Sequence, residues 1–494
     1  MNQKIISTQQ QRNIVIVIFS SILMVTLVML WSYWNIQQDD SYIFYSYANN
    51  IVNDNGYVFN TGERINATTS PFYTLLLSLF AWIFQYFSWI TLPVIGHCIG
   101  AISLLVTSVL LLKCFNKEEY SVFPYVLPLV FLASPLLANA VGMETFLAMM
   151  LAVSSLYLWN RGNLLAASLV CSLAVLTRPD MALLAVILPT YDFIRNRRLP
   201  SIAMVLLICL PIVIWFSFSF MYFGDLLPTT LSAKLGQTES GRWGTGLIFL
   251  KGLVSKANWN GKMFMYPALI MVLLGIGVFV AKIRQWKILQ HPVLHVILLW
   301  NLAYLIAYGF ILNPPGYPWY YTPLSIGMAI IVTLAIQAFY QFLSEKNIVS
   351  DKIILAAIFS LLLVISITLP LKKLSGNVTD KYEIYKLAAE WLNANVEKGS
   401  SVGTNEIGIL RYYYTNGPII DALGLVTPEV AEHVKERDYS WYVHQYKPDY
   451  LMFDHPHRPV FEAMVETDWF QKEYSVQTKI NTSRKSIAIY GRQD

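Results

Sequence analysis

Charge is scarce in this chain. Only 13% of its 494 residues are Asp, Glu, Lys or Arg, where a soluble domain carries about 25%. With 55% hydrophobic residues and a mean hydropathy of +0.48, that shortage argues against an ordinary soluble enzyme and against a disordered chain. Cysteine is scarce as well. Cys98, Cys114, Cys171 and Cys209 all lie in or beside apolar runs, and no CxxC pair exists. Neither a disulfide framework nor a cysteine metal site is expected; these thiols read as small buried hydrophobes. Repeats and low-complexity tracts are lacking. The first apolar run, Ile14–Trp34, has no A-x-A cleavage pattern and reads as a retained anchor. The formal charge of +5 and pI near 8.7 do not point to nucleic acid. The cations sit in short tracts between apolar runs, where orientation signals belong.

What is present is a succession of apolar segments. After the first come runs at roughly 95–112, 121–138, 143–159, 164–177, 181–194, 201–222, 262–281, 292–311, 319–340 and 353–370. The expectation is a polytopic α-helical membrane protein with a bundle of about eleven transmembrane helices. Lys4 and Arg12, Lys113 and Lys117, Arg161, the tract from Arg195 to Arg198, Lys282 with Arg284 and Lys287, and Lys346 with Lys352 are assigned to the cytoplasm. The amino terminus is then cytoplasmic, and residues 35–70, 139–142, 178–180, 223–261 and 312–318 face outward. Under that assignment an odd number of spans separates Pro71 from Lys113. Phe72–Trp89 is therefore expected to lie shallow, re-enter or pack without crossing; the alternative is that it crosses and one charge assignment is wrong.

Residues 1–370 form the expected membrane domain, with external loops 35–70 and 223–261. After Pro370 the character changes, and 371–494 contain no plausible span. Tyr382–Ala394 has helical spacing; SSVGTNE reads as strand and turn, IGILRYYY as helix and Pro428–Val434 as a short helix. PIIDAL, DYLMFD, QTKI and SIAIYG read as strands. This is a small external α/β domain.

The outward segments carry the chemistry. Asp39-Asp40 follows the first span directly, beside Trp31, Tyr33, Trp34, Tyr42 and Tyr45. The pair is either a solvated helix terminus with an aromatic belt or a general base with an orienting neighbour. Glu144 opens an apolar segment, which suits either an ion pair or a second acid in a cavity. Arg178-Pro179-Asp180 breaks a helix. Arg178 either pairs with Glu144 or Asp180 or clamps a phosphate with its planar fork of donors. In the loop 223–261, Asp225, Lys234, Arg242 and Lys251 are candidates for the lipid-phosphate region, and Lys234 is the preferred phosphate partner or a snorkelling lysine. NPPGYPWYYTP, with Tyr317 and Trp319, suits sugar stacking or an interfacial belt. Asn405-Glu406 and Asp421 line an acceptor groove or serve turns and caps. Asp454-His455-Pro456-His457 has no evident fourth ligand, so structural or solvated roles are expected. N-x-[ST] sites begin at Asn66, Asn377 and Asn481.

The stretch DDSYIFYSYANNIVNDNGYVFNTGERINATTSPFYTLLL resembles the first external loop of bacterial GT-C membrane glycosyltransferases related to the mycobacterial terminal arabinofuranosyltransferase. SPLLANAVGMETFLAM, LTRPDMALL, YFGDLLPTTLSAK and VGTNEIGILRYYY…IIDALGLVTPEV are similar to the same family, in the same order, from about residue 31 to about 430. One position departs: Ser46 stands before the YA pair where the family often has arginine.

The resemblance implies a GT-C bundle in the bacterial inner membrane with its active site on the periplasmic face. A polyprenyl-phosphate-linked monosaccharide, arabinofuranose by resemblance, would be the donor. The acceptor would be an envelope glycan, lipopolysaccharide or a pilin-like protein. Asp39, Asp40 and Glu144 would be the catalytic acids. Arg178, Lys234 and Arg242 would serve the donor phosphate, and Asp180, Asp225, Tyr42, Tyr317, Trp319, Asn405 and Glu406 the substrates. No cofactor is needed, although an external site of this type can recruit a divalent metal. Two other readings compete: a lipid-linked sugar or polysaccharide transporter, for which matched inverted halves are lacking, and an assembly protein in which the acids and Arg178 are salt-bridge architecture.

Overall fold

The computed structural model describes residues 8–115, 122–252, 287–346, 350–375 and 380–493. The expected span 262–281 and the residues Lys117, Lys282, Arg284 and Asn377 lie outside the described residues. The membrane half contains α1 (Thr8–Tyr33), α2 (Asp39–Val52), α3 (Pro71–Phe84), α4 (Leu92–Cys114), α5 (Phe123–Leu132), α6 (Thr145–Asn160) and α7 (Leu164–Thr177). It continues through α8 (Ala182–Asn196), α9 (Ile202–Phe223), α10 (Thr229–Glu239), α11 (Pro292–Ile306), α12 (Ser325–Glu345) and α13 (Asp351–Ser375).

Among the described residues, six helices are long and apolar enough to cross a bilayer: 13–33, 92–114, 202–223, 292–311, 318–345 and 351–372. Four shorter apolar helices, α3, α5, α6 and α7, accompany them among the described residues. The chain is a multi-pass membrane protein. α3 has 14 residues, about 21 Å against a hydrocarbon core of about 30 Å. α7 is equally short, so length alone does not say whether the segment starting at Phe72 crosses.

Proline sets the breaks. The apolar run 121–138 becomes α5 and then a 3₁₀ turn opened by Pro135. α7 ends at Thr177 because Arg178 precedes Pro179, and Arg178 accordingly adopts an extended backbone, φ −148° and ψ 123°. That step turns the Arg178 side chain out of the α7 ladder and back toward α6.

The C-terminal domain has α14 (Asp380–Asn395), β1 (Val402–Thr404), α15 (Gly408–Tyr413), β2 (Ile419–Asp421), α16 (Val430–Glu436), α17 (Trp441–Tyr446), β3 (Tyr450–Asp454), α18 (Asp468–Glu473), β4 (Tyr474–Asn481) and β5 (Ser486–Arg492). The sheet order is β2-β1-β3-β5-β4. β1 runs parallel to β2 and β3, and β5 is antiparallel to β3 and β4. The strands lie where the alternation placed them. α17 and α18 were not foreseen: at six residues each they are too short to show a helical period.

The loop that follows α2 clamps this domain to the membrane half. Asn60 Nδ2 donates to the Ile419 carbonyl at 2.9 Å, and Asn60 Oδ1 accepts from the Ile419 N–H at 3.0 Å. Arg411 Nε donates to the Phe59 carbonyl. Thr229 Oγ1, at the start of α10, donates to the Leu425 carbonyl. Tyr42 and Tyr45 of α2 pack edge-on against Tyr412 of α15.

Candidate functional site

The site begins at the first turn of α2. Asp39 is buried, 7% exposed, and each of its carboxylate oxygens accepts one backbone N–H from the C-terminal domain. Gly408 donates to Oδ2 at 3.1 Å and Ile409 to Oδ1 at 2.9 Å. A Cβ on Gly408 would overlap the Asp39 carbonyl, so only glycine permits this approach. Burial pushes the Asp39 carboxyl up to about 6; Lys381 opposes this, Glu406 adds to it, the Ile409 amide opposes it and Asp40 adds to it. Lys381 is ion-paired with Glu406. Asp40 is half-buried, and its charge acts on Lys381, Tyr317 and Tyr320.

A second centre lies where α6 starts and α7 breaks. Arg178 Nη1 donates to Glu144 Oε1 at 2.8 Å and to Thr145 Oγ1 at 2.9 Å. Its Nε and Nη2 reach the Asp180 carboxylate, with Nη2 at 2.6 Å from Oδ2. Of the five guanidinium N–H groups, four are thus engaged, and the fifth has no partner among the described residues. The other Glu144 oxygen, Oε2, is buried with no hydrogen-bond partner among the described residues. Two carboxylates around one guanidinium leave the cluster formally one charge negative.

The two centres are joined by an aromatic row. Tyr308 donates to Asp180 Oδ2 at 3.0 Å. The Tyr308 ring stands 5.5 Å from that of Tyr320, and Tyr320 stands 6.2 Å from Tyr317. Tyr317 stacks on Trp319 at 4.8 Å and 9°. Lys234 Nζ sits over the Tyr317 ring at 4.1 Å and pairs with no carboxylate among the described residues. The charges of Lys234, Arg178 and Asp40 all act on Tyr320. Asp40, the Arg178 cluster and Lys234 therefore border one region. Gln237, one turn after Lys234 on α10, accepts from Tyr317 through Oε1 while its buried Nε2 lacks a partner among the described residues.

Other candidates fall elsewhere. Asp225 and Arg242 are exposed, and among the described residues no side-chain hydrogen bond or ion pair ties them to this region. Tyr42 is wholly buried in the tyrosine cluster under α15 and donates to Gln37. Ser46 donates to the Tyr42 carbonyl. Asn405 donates to Glu462, and Glu406 is held by Lys381 and Arg458. The crevice they line with Tyr385, Asp454 and Arg458 has about 10 Å³ of free volume, room for about one water and not for a sugar ring. Asp421 is buried and accepts the N–H groups of Leu423, Leu425 and Val426, a turn-holding role. Among the described residues no group of three or more His, Cys, Asp or Glu is placed to hold a metal ion. His455 contacts Lys479, and His457 contacts Glu466.

Sequence reasoning missed Lys381, Gly408, Tyr308, Tyr320 and Gln237. Lys381 lies in the polar opening of α14, where nothing local separates it from a solvated lysine.

Comparison with known proteins places this architecture. The crystal structure of ArnT from Cupriavidus metallidurans bound to undecaprenyl phosphate superposes with a TM-score of 0.58 at 12% identity, over 96% of this chain and 97% of that one. The apo oligosaccharyltransferase of Archaeoglobus fulgidus gives 0.53 at 11% identity, over 88% and 69%. The fold is that of the GT-C membrane glycosyltransferases. In sequence, the chain is similar to the terminal β-(1→2)-arabinofuranosyltransferase of Mycobacterium tuberculosis, 23% identical over 400 residues. That match takes in 75% of this chain and 59% of the relative, so the chain spans about three fifths of that protein's length. Residues 376–490 match the model of a domain of unknown function, DUF8728.

Proposed function

We propose that this protein transfers one sugar from a polyprenyl-phosphate donor to an acceptor hydroxyl at the outer face of the bacterial inner membrane. The amino terminus is then cytoplasmic and the C-terminal domain lies in the periplasm as an outer domain. Arabinofuranose is the sugar favoured by the mycobacterial relative. The acceptor is a glycan, lipopolysaccharide or pilin-like protein of the envelope.

The observation that carries the reading is the row Asp180–Tyr308–Tyr320–Tyr317–Lys234, with Asp40 acting on its middle. It joins a cation without an acid partner to an acid pair across aromatic faces. Lys234 meets the donor phosphate as a point charge, and the one remaining N–H of Arg178 adds to it. Tyr317 is stacked on Trp319 and carries Lys234 over its ring, so Trp319 is the ring that offers the sugar a stacking face.

Each carboxylate oxygen has two lone-pair directions. Asp39 therefore keeps one on each oxygen after taking an N–H from Gly408 and Ile409. It takes the proton of the acceptor hydroxyl as that oxygen attacks the anomeric carbon. The bond from that carbon to the phosphate oxygen breaks, and polyprenyl phosphate leaves as the anion. A single displacement inverts the anomeric centre. Glu144 and Asp180 hold Arg178 in place.

The test is transfer in membranes from labelled polyprenyl-phosphoryl arabinofuranose or hexose, with mass analysis of envelope glycans after deletion of the gene. Loss of one pentose or hexose on deletion, restored by the wild-type gene, is the expected result. Movement of lipid-linked sugar across the membrane without any product would replace this reading with transport.

A further inference from the structure

We propose that the outer domain is a working part of the catalytic apparatus: Gly408, Ile409, Lys381 and Glu406 hold and tune Asp39, so the membrane-domain base is competent only beneath a docked outer domain. The inference rests on the transferase reading for its catalytic meaning, but its structural content can be measured without substrate.

The geometry carries it. Asp39 and its two donors are 369 and 370 residues apart in the chain. No other backbone or side-chain hydrogen bond to the Asp39 carboxylate is present among the described residues. Without the outer domain the side chain would lose both partners that fix its rotamer. Gly408 makes the contact sterically permissible. The same domain contributes the charges around it. Lys381 and Tyr385 face it from α14, Glu406 from the β1–α15 turn, and Asp40 from its own helix. Lys381 and Glu406 form an ion pair whose members push Asp39 in opposite directions, the cation favouring the carboxylate and the anion the acid.

The docking is built to be specific. Asn60 satisfies both backbone groups of Ile419 on the edge of β2, and Phe59 receives Arg411. These contacts come from the loop that immediately follows α2. The segment bearing the base and the segment gripping the domain that orients it are therefore one piece of chain. Gly408, Lys381 and Glu406 are positioning residues; none is required to touch substrate.

The test uses the full-length protein in nanodiscs. Infrared difference titration follows the Asp39 carboxyl, identified by the band lost in D39N, in wild type, K381Q and E406Q. The expected midpoint is about 6 in wild type, higher by about one pH unit in K381Q and lower by a similar amount in E406Q. The signs are reinforced by the pairing: removing Lys381 leaves Glu406 uncompensated, and removing Glu406 frees Lys381 for Asp39. Hydrogen–deuterium exchange of the peptide 405–413 should rise in D39A.

Equal midpoints in the three proteins, or shifts of the same sign, would overturn the inference, as would unchanged exchange in D39A. In the transfer assay, the acidic limb of the pH–rate profile should follow the infrared midpoints. Opposed infrared shifts in a protein that transfers no sugar would keep the positioning role and remove the transferase reading, so the two failures are distinguishable. G408A adds a check on the close approach. Its added methyl forces Asp39 and α15 apart, so exchange over 405–413 rises and the maximal rate falls more than the donor KM changes.

Discussion

Asn60 treats Ile419 as a neighbouring strand would, giving one N–H to its carbonyl and taking one N–H in return. Ile419 is the first residue of the edge strand β2, and both residues are buried. A side-chain amide thus caps an edge that would otherwise bury two unmet backbone groups. N60A should weaken outer-domain docking by about 1–3 kcal/mol, the cost of stranding buried donors and acceptors. N60D should be no better, because it points an acceptor at the Ile419 carbonyl. Limited proteolysis and hydrogen exchange over 415–425 check both.

The Arg178 cluster separates stability from catalysis. Removing the guanidinium alone leaves Glu144 and Asp180 buried without their cation. R178M should therefore lower stability by about 3–5 kcal/mol, seen as a lower melting temperature in detergent. R178K should recover little, since one ammonium cannot bridge both carboxylates and Thr145 as the fork does. The triple variant R178M/E144Q/D180N should regain most of the stability and none of the transfer. Full transfer in the triple variant would reduce the cluster to architecture.

Much of this was legible in the sequence for identifiable reasons. The apolar runs and the Arg178-Pro179 break follow from hydropathy and from the steric rule at pre-proline residues. The outer strands follow from alternation between turn residues. The direction of loop side chains was not legible. Asp225, Lys234 and Arg242 looked equivalent by spacing, yet only Lys234 lies on the face of α10 that also buries Ala233 and Gln237. Nor could any local pattern show that Gly408 meets Asp39. That contact depends on the whole bundle bringing two distant segments together, and only the resulting steric crowding explains the glycine. The roles proposed for Arg242 and Asp225 have no geometric support here, and Tyr42 serves packing.

Lys234 should matter most for the lipid phosphate. It has an aromatic ring beneath it and no acid to neutralise it among the described residues. K234M should weaken binding of polyprenyl phosphate by about 10- to 100-fold, the worth of one charge-assisted hydrogen bond of roughly 1.5–3 kcal/mol. K234R, which keeps a cation at that point, should lose much less. Inhibition of transfer by added undecaprenyl phosphate measures both.

Protonation of Asp39 should set the acidic limit of activity. Burial outweighs Lys381 and the Ile409 amide, so the carboxyl keeps its proton to about 6 instead of its ordinary 3.8. A base must be ionised to accept a proton, so the rate should rise by about tenfold per pH unit below 6 and level off above it. D39N removes the acceptor of the proton while retaining one carbonyl oxygen for an outer-domain amide. It should cost roughly 100- to 10,000-fold in rate, with a smaller effect on outer-domain exchange than D39A. D40N leaves those two hydrogen bonds intact and removes a negative neighbour, so the acidic limb should move to lower pH. A profile that stays flat from pH 5 to 8 in wild type would take the base role away from Asp39, because no group with that carboxyl's proton affinity could then be limiting the reaction.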